Sequence, residues 1–234
     1  MMQLFYTPDI QGTTCLLDET ESRHAVRVLR LTDGDRINLV DGMGNFYEGR
    51  ITEADPRHCQ IEVISKTPEF GKRRHYLHLA VAPPKNNDRF EWFLEKATEI
   101  GIDEITPLAC DHSERRTLRN DRMQKVVVAA MKQSVKAYLP RLNPLTPLHD
   151  VLCDRFDGKK FIAHCDDRDK KQLKDEIKDS PSSLVLIGPE GDFSENEIEL
   201  ALKKEFIAVG LGPSRLRTET AAIVACHTAN LMNE

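Results

Sequence analysis

The run Leu184-Val185-Leu186-Ile187-Gly188-Pro189-Glu190-Gly191-Asp192-Phe193, followed at once by Ser194-Glu195-Asn196-Glu197, decides the fold. Its four apolar residues carry no polar alternation, as in a strand buried on both faces. Gly188 and Gly191 let the main chain approach a ligand and allow positive φ, and Pro189 stiffens the turn between them. Ser194 and Glu197 have the spacing of a capping box, which opens a helix. A strand that turns directly into a helix is the repeating unit of a parallel sheet covered by helices.

The same grammar recurs downstream in Val209-Gly210-Leu211-Gly212-Pro213-Ser214-Arg215-Leu216-Arg217-Thr218-Glu219-Thr220-Ala221. Here a strand leaves through glycines and a proline and enters a helix that Thr218 or Thr220 is placed to cap. Strand-like runs at His75–Ala82, Ile105–Cys110, Phe161–Cys165, Leu184–Ile187 and Phe206–Leu211 alternate with helix-like runs. Those are Asp88–Ile100, Asn120–Leu139, Arg168–Lys178, Glu195–Lys204 and Thr218–Met232. Five such alternations predict an α/β fold with a parallel sheet and helices on both faces. In the first helix, Phe90, Phe93, Leu94 and Ala97 follow the spacing of one buried stripe.

Upstream of Phe70-Gly71-Lys72-Arg73-Arg74 the pattern differs. Short runs at Arg36–Val40, Asn45–Thr52 and His58–Ser65, separated by turn signals such as Asp33-Gly34 and Asp41-Gly42, predict a small antiparallel β-domain. The division expected is therefore a β-domain over residues 1–74 and an α/β domain over 75–234.

With 234 residues there is room for two unequal domains, and 40% hydrophobic with 30% charged residues is an ordinary globular composition. No apolar run approaches the roughly 20 residues of a membrane span, and Met1–Asp9 lacks the layout of a secretion signal, so a cytoplasmic protein is expected. The six cysteines form no CxxC pair and the histidines are dispersed, which argues against a metal site or a disulfide framework. The net charge of −5 argues against a nucleic-acid partner, yet Asp111–Arg141 holds eight basic and three acidic residues. Arg23, His24, Arg27 and Arg30 would fall along one face if their segment is helical.

In an open α/β sheet ligands sit beyond the carboxyl ends of the strands, so the two glycine turns are the candidate site. Gly210-Leu211-Gly212 lacks the third glycine and the helix timing of a dinucleotide fingerprint. The chain has neither a phosphate loop of the GxxxxGK[ST] type nor a GxSxG nucleophile turn, which removes the common ATPase and esterase readings.

Taken together, Ile187-Gly188-Pro189-Glu190-Gly191 with Phe193-Ser194 and Glu197, and Leu211-Gly212 with Leu216-Arg217-Thr218-Glu219-Thr220-Ala221, resemble the ribosomal RNA small-subunit methyltransferase E family of the SPOUT superfamily. The likeness runs along most of the chain. His24 with Val28-Leu29-Arg30-Leu31 and Gly34-Asp35 resembles that family's PUA-like RNA-binding domain. Lys85, Arg89 and Glu95-Lys96-Ala97-Thr98-Glu99-Ile100-Gly101 resemble the opening of its catalytic domain. Lys132, Lys136 and Ser214 depart from its pattern.

The resemblance implies a SPOUT sheet with a C-terminal trefoil knot, a PUA-like β-barrel, and a homodimer whose active site is completed across the subunits. The implied activity is transfer of a methyl group from S-adenosyl-L-methionine to N3 of a uridine in the decoding region of 16S rRNA in the 30S subunit. The cofactor is expected against Leu186, Ile187, Gly188, Glu190, Gly191, Leu211, Gly212, Leu216 and Thr218. RNA is expected against Arg23, His24, Arg27, Arg30, Lys85 and Arg89. Uridine N3 is a poor nucleophile until its proton departs, so negative charge must be stabilised at the base; Arg217 is the candidate for that catalytic role. Glu190 and Glu219 are the carboxylates nearby, and the sequence does not choose a base between them. Two other readings stay open: a ribosome-assembly factor on the same fold, and a methyltransferase of another RNA.

Overall fold

The computed structural model describes residues 3–10, 12–165 and 170–234, which form two compact units. The first takes the described residues up to Lys72 together with Val128–Leu139; the second takes Arg73–Val127 and Pro140–Glu234. The segment 128–139, expected within the second domain, therefore packs with the first.

In the first unit the elements are β1 (Leu4–Tyr6), β2 (Thr14–Leu16), α1 (Glu19–Arg23), a π-helical turn (His24–Val28), β3 (Arg36–Val40), β4 (Phe46–Glu53) and β5 (Gln60–Thr67). They form one five-stranded sheet in the order β1-β3-β4-β5-β2. The expected meander is there in β3, β4 and β5, which pair antiparallel, but β1 joins β3 in parallel. Alternation in β4, with Tyr47, Gly49 and Ile51 buried on one face, follows from the period of two of a half-buried strand, while the preceding Phe46 is buried in a separate cluster. Phe5, Leu17, Leu39, Ile51 and Ile61 form its core. A second cluster joins Leu4, Val40 and Phe46 to Met131 and Ala137. The Lys132 ammonium donates to Glu21, a carboxylate that is only 7% exposed.

The second unit continues with β6 (Tyr76–Val81), α2 (Asn87–Ile100), β7 (Glu104–Ala109), α3 (Asn120–Gln133, of which only the part up to Val127 belongs to this unit), β8 (Arg141–Leu142), β9 (Thr146–Pro147) and α4 (Leu148–Cys153). It ends with β10 (Lys159–Ala163), β11 (Lys171–Gln172), α5 (Leu173–Glu176), β12 (Ser182–Ile187), α6 (Glu195–Lys203), β13 (Ile207–Gly210) and α7 (Thr218–Asn233). The sheet order is β11-β13-β10-β12-β6-β7-β8, with β9 paired to β7, and every pairing is parallel. The helix-like run expected from Arg168 begins outside the described residues; its described part is β11 and the single turn α5. α3 stops at Gln133, short of the expected Leu139, because Val135 adopts φ 54° and the chain turns away.

Helix faces obey the sequence pattern. Phe90, Phe93, Leu94 and Ala97 are wholly buried, each phenylalanine contributing about 1.5–3 kcal/mol by leaving water. Ser194 accepts from the Glu197 amide at 3.3 Å while Glu197 Oε2 accepts from the Ser194 amide at 2.8 Å, which closes the capping box. α7 packs on α2, where Asn230 donates to the Gly101 carbonyl at 2.8 Å and Arg73 donates to the same carbonyl and to Asn230. Among the described residues no helix is long and apolar enough to cross a membrane, and no group of three or more His, Cys, Asp or Glu is placed to hold a metal ion.

At the amino end of the strands lies a polar network. His78 Nε2 meets the Thr106 hydroxyl at 2.7 Å, Asn143 donates to Thr106 and Glu104, and the Tyr76 hydroxyl donates to Glu104. Burial pushes the His78 imidazole below its ordinary range, with the Glu104 carboxylate only partly opposing it. Burial alone would raise Glu104, but hydrogen bonds from Tyr76 and Asn143 outweigh it and hold the carboxyl low.

Candidate active site

Strand register brings the two glycine turns together. In the parallel sheet Ala163, the last residue of β10, stands level with Ile187 of β12 on one side and Val209 of β13 on the other. The turns that leave β12 and β13 therefore flank the end of β10, at the carboxyl edge where an open α/β sheet takes its ligands.

Two adjoining cavities occupy this edge. The smaller, about 310 Å³, is lined by Ile187, Gly188, Pro189, Glu190, Arg217 and Thr218. The larger, about 710 Å³, is lined by His164, Gln172, Gly210, Leu211, Gly212 and Pro213 among others. Ala163, Cys165, Asp192, Arg215, Leu216 and Ala221 line both. Volumes of about 300–1,000 Å³ suit a nucleoside-sized ligand.

Of the residues expected around the cofactor, Ile187, Gly188, Glu190, Leu211, Gly212, Leu216 and Thr218 meet at these cavities. Leu186 and Gly191 line neither: Leu186 is wholly buried in the core, and Gly191 faces His112. Gly188 and Gly191 would allow a left-handed conformation, but the residue of this turn that adopts it is Asp192, at φ 64°. Aspartate tolerates this region, and its carboxylate is put to use there. Oδ2 accepts from the Cys165 amide at 2.7 Å and Oδ1 from the Phe193 amide at 2.9 Å, tying the end of β10 to the turn after β12. Gly188 needs its missing side chain for space, since a Cβ would lie 3.0 Å from the Phe193 ring. Gly212 needs it for conformation, at φ 117° with nothing within 4 Å.

α7 begins without the expected threonine cap. Arg217 occupies the N-cap position with no side-chain cap bond, and the Thr218 hydroxyl donates across the cleft to the Gly188 carbonyl at 3.2 Å. That bond links the two turns. Arg217 is exposed at the rim of the smaller cavity, with no hydrogen bond or ion pair from its guanidinium among the described residues. Glu190 lines the same cavity, whereas Glu219 is 7% exposed and lines neither.

Arg89 stands between those two carboxylates, 3.6 Å from Glu190 and 3.8 Å from Glu219. Lys85 pairs with Glu114 at 2.9 Å, a contact that holds its ammonium above the ordinary range. Both cations expected to meet RNA thus already face carboxylates. In the first unit Arg23, His24, Arg27 and Arg30 are all exposed. They lie on no single helical face: Arg23 ends α1 paired with Glu19 at 2.5 Å, His24 and Arg27 sit on the π-helical turn, and Arg30 has φ 59°. Part of the basic run over 111–141 is likewise engaged internally, as in Arg122 with Glu91 at 2.6 Å and Lys132 with Glu21.

Asp192, Cys165 and His112 were not singled out from sequence. Each follows the carboxyl end of a strand, so the rule that places ligands there was the available signal; the partners themselves lie far apart in the chain.

Two family models place this fold and site among RNA methyltransferases carrying a PUA domain. Residues 72–230 match the RNA methyltransferase domain model and residues 17–64 the RNA methyltransferase PUA domain model. Ribosomal RNA small subunit methyltransferase E of Synechocystis is 31% identical, the alignment covering 94% of this chain and 74% of that protein. The Bacillus subtilis protein of the same name is 27% identical over 96% of this chain and 92% of its own length. A Porphyromonas gingivalis structure described as a probable rRNA-methyltransferase superposes with TM-score 0.90 at 40% identity, covering 98% of this chain and 99% of the other. Ribosomal RNA small subunit methyltransferase E from Neisseria gonorrhoeae, solved bound to S-adenosyl methionine, gives TM-score 0.87 at 27% identity over 97% and 95% of the two chains. The chain belongs to the ribosomal RNA small subunit methyltransferase E family.

Proposed function

We propose that this protein binds S-adenosyl-L-methionine at the carboxyl edge of the sheet and methylates N3 of a uridine in the decoding region of 16S rRNA, within the 30S subunit in the cytoplasm. The observation that carries the reading is the pair of glycine turns on either side of Ala163, bordering adjoining cavities and joined by Thr218 to Gly188. The residues present fit the cofactor. Ile187, Leu211 and Leu216 offer apolar walls, Gly188 and Gly212 offer bare main chain, and Glu190 sits at one end.

The bound cofactor supplies an electrophilic methyl group on a sulfonium. The chain's task is then to hold the nucleophile in line and to stabilise the charge left when N3 loses its proton. Arg217 suits the second task, since its guanidinium is at the cavity rim and uncommitted to an internal partner, and its N–H groups can donate to a carbonyl oxygen over which the uracil anion spreads its charge. A base buried in a stacked helix must first turn outward to reach this edge. Arg23, His24, Arg27 and Arg30 are suited to hold the surrounding RNA, chiefly through phosphates. The trefoil knot and the homodimer belong to the same reading. Supporting the dimer, α2 and α7 pack together and expose Trp92 and Leu231.

The test is methyl transfer by the full chain from labelled S-adenosyl-L-methionine to unmethylated 30S subunits, with the product nucleotide mapped by mass spectrometry. One N3-methyluridine in 16S rRNA is expected. Label on transfer RNA, or on carbon 5 or a ribose, would overturn the substrate assignment. Cofactor binding without transfer to any RNA would favour the assembly-factor reading.

A further inference from the structure

We propose that His112, which touches neither cavity, is a positioning residue for the methyl-donor turn after β12. It resides in the turn that follows β7, Cys110–Ser113, closed by the Cys110 amide donating to Ser113 Oγ at 2.9 Å and the Ser113 amide to the Cys110 carbonyl at 3.1 Å. From there the imidazole Nδ1 lies 3.1 Å from the Gly191 carbonyl oxygen and 3.0 Å from that of Asp192.

Both neighbours are acceptors only, so Nδ1 must carry the hydrogen; the other tautomer would press a lone pair against two carbonyl oxygens. The histidine is thus a donor bridging two successive peptide units. Its approach bears on Gly191, a glycine that lines neither of the two cavities. A Cβ at that position would stand 3.2 Å from His112 Cβ, so His112 would have to give by a few tenths of an ångström. The neighbouring residue grips the far end of the same turn. The Asp111 amide donates to Glu197 Oε1 at 2.8 Å, and the Ser194 hydroxyl donates to Asp111 Oδ2 at 2.7 Å.

The consequence reaches the cavities through Asp192. With its carbonyl held by His112, its carboxylate is fixed where it accepts from the Cys165 amide, and Cys165 lines both cavities. His112 therefore sets the spacing between the end of β10 and the turn after β12. This inference rests on the reading that these cavities hold S-adenosyl-L-methionine.

The test compares His112→Ala, His112→Asn and wild type in the full chain. Asparagine places an amide N–H close to the position of Nδ1, and alanine removes the donor. Two quantities are read: S-adenosyl-L-methionine affinity by calorimetry, and the rate at which iodoacetamide alkylates Cys165 without cofactor, resolved from exposed Cys153 by peptide mass mapping. His112→Ala should weaken affinity about tenfold and change the Cys165 rate several-fold, as expected for one lost hydrogen-bonding donor, while His112→Asn stays within about twofold on both. Unchanged affinity and alkylation in His112→Ala would overturn the proposal, and so would an asparagine variant as impaired as the alanine one. If the wild type binds no cofactor, the functional reading fails, and the alkylation rates still decide whether His112 positions Cys165.

Discussion

The turns leaving β12 and β13 look alike in sequence and are built differently. The first is cross-linked on every side: His112 holds two of its carbonyls, Asp192 reaches Cys165, Thr218 reaches Gly188, and a capping box closes it. The second, from Gly212 to Arg217, is exposed over most of its length, and the Arg215 and Arg217 side chains have no internal hydrogen bond or ion pair among the described residues. One wall of the cleft is thus set in advance, which lowers the ordering cost of holding a ligand, and the other is available to adjust to what enters.

The sharpest way to break this contrast is Arg217→Ala. If the second turn supplies a charge-stabilising donor, single-turnover methylation should fall about 100-fold, near 3 kcal/mol, while cofactor affinity measured by calorimetry changes far less. Equal losses in both would make Arg217 part of the pocket wall. Next in size is the pair Gly188→Ala and Gly212→Ala. A methyl at 188 meets the Phe193 ring in the braced turn, so about 1–3 kcal/mol should be lost and cofactor affinity should drop. A methyl at 212 meets nothing, and only its backbone conformation resists, at about 1 kcal/mol. Melting temperatures and calorimetry on both variants measure the difference; a Gly212 variant with the larger loss of affinity would reverse the assignment of fixed and adjustable walls.

The smallest expected effect concerns the opposite end of the sheet. His78 is held below its ordinary range by burial, so the native state disfavours its protonated form. The unfolded chain takes up that proton near pH 6.5, hence stability is full above this value and declines as pH falls below it. Glu104, held low, loses its contribution only at more acidic pH. Between about pH 8 and about pH 5.5 the melting temperature of wild type should fall by a few degrees more than that of His78→Gln. Parallel curves would show that the polar network at the amino end carries no such linkage.

Where local pattern governs, the sequence was legible. The buried run Leu184–Ile187, the capping box at Ser194 and Glu197, and the stripe Phe90, Phe93, Leu94 and Ala97 each express a periodicity or spacing that packing preserved. Much of the candidate site was readable because both glycine turns end strands that register places beside β10. What escaped has no local signature. β1 and β2 are three residues long, β8 and β9 only two, and their pairing is set by distant neighbours. His112 meets carbonyls 79 and 80 positions away. Asp192 takes the left-handed conformation because its carboxylate finds two amides, a gain invisible until the turn is folded.

The return of Val128–Leu139 to the amino-terminal unit carries a consequence for biosynthesis. Met131 and Ala137 belong to the cluster that covers Leu4, Val40 and Phe46. A nascent chain emerging from the tunnel must therefore be extended past Leu139 before those residues find their cover, so the amino-terminal unit cannot close on its residues up to Lys72 alone. Cutting the gene at the linker would leave one product with an uncovered apolar face and the other with an orphaned stretch that has nothing to pack on.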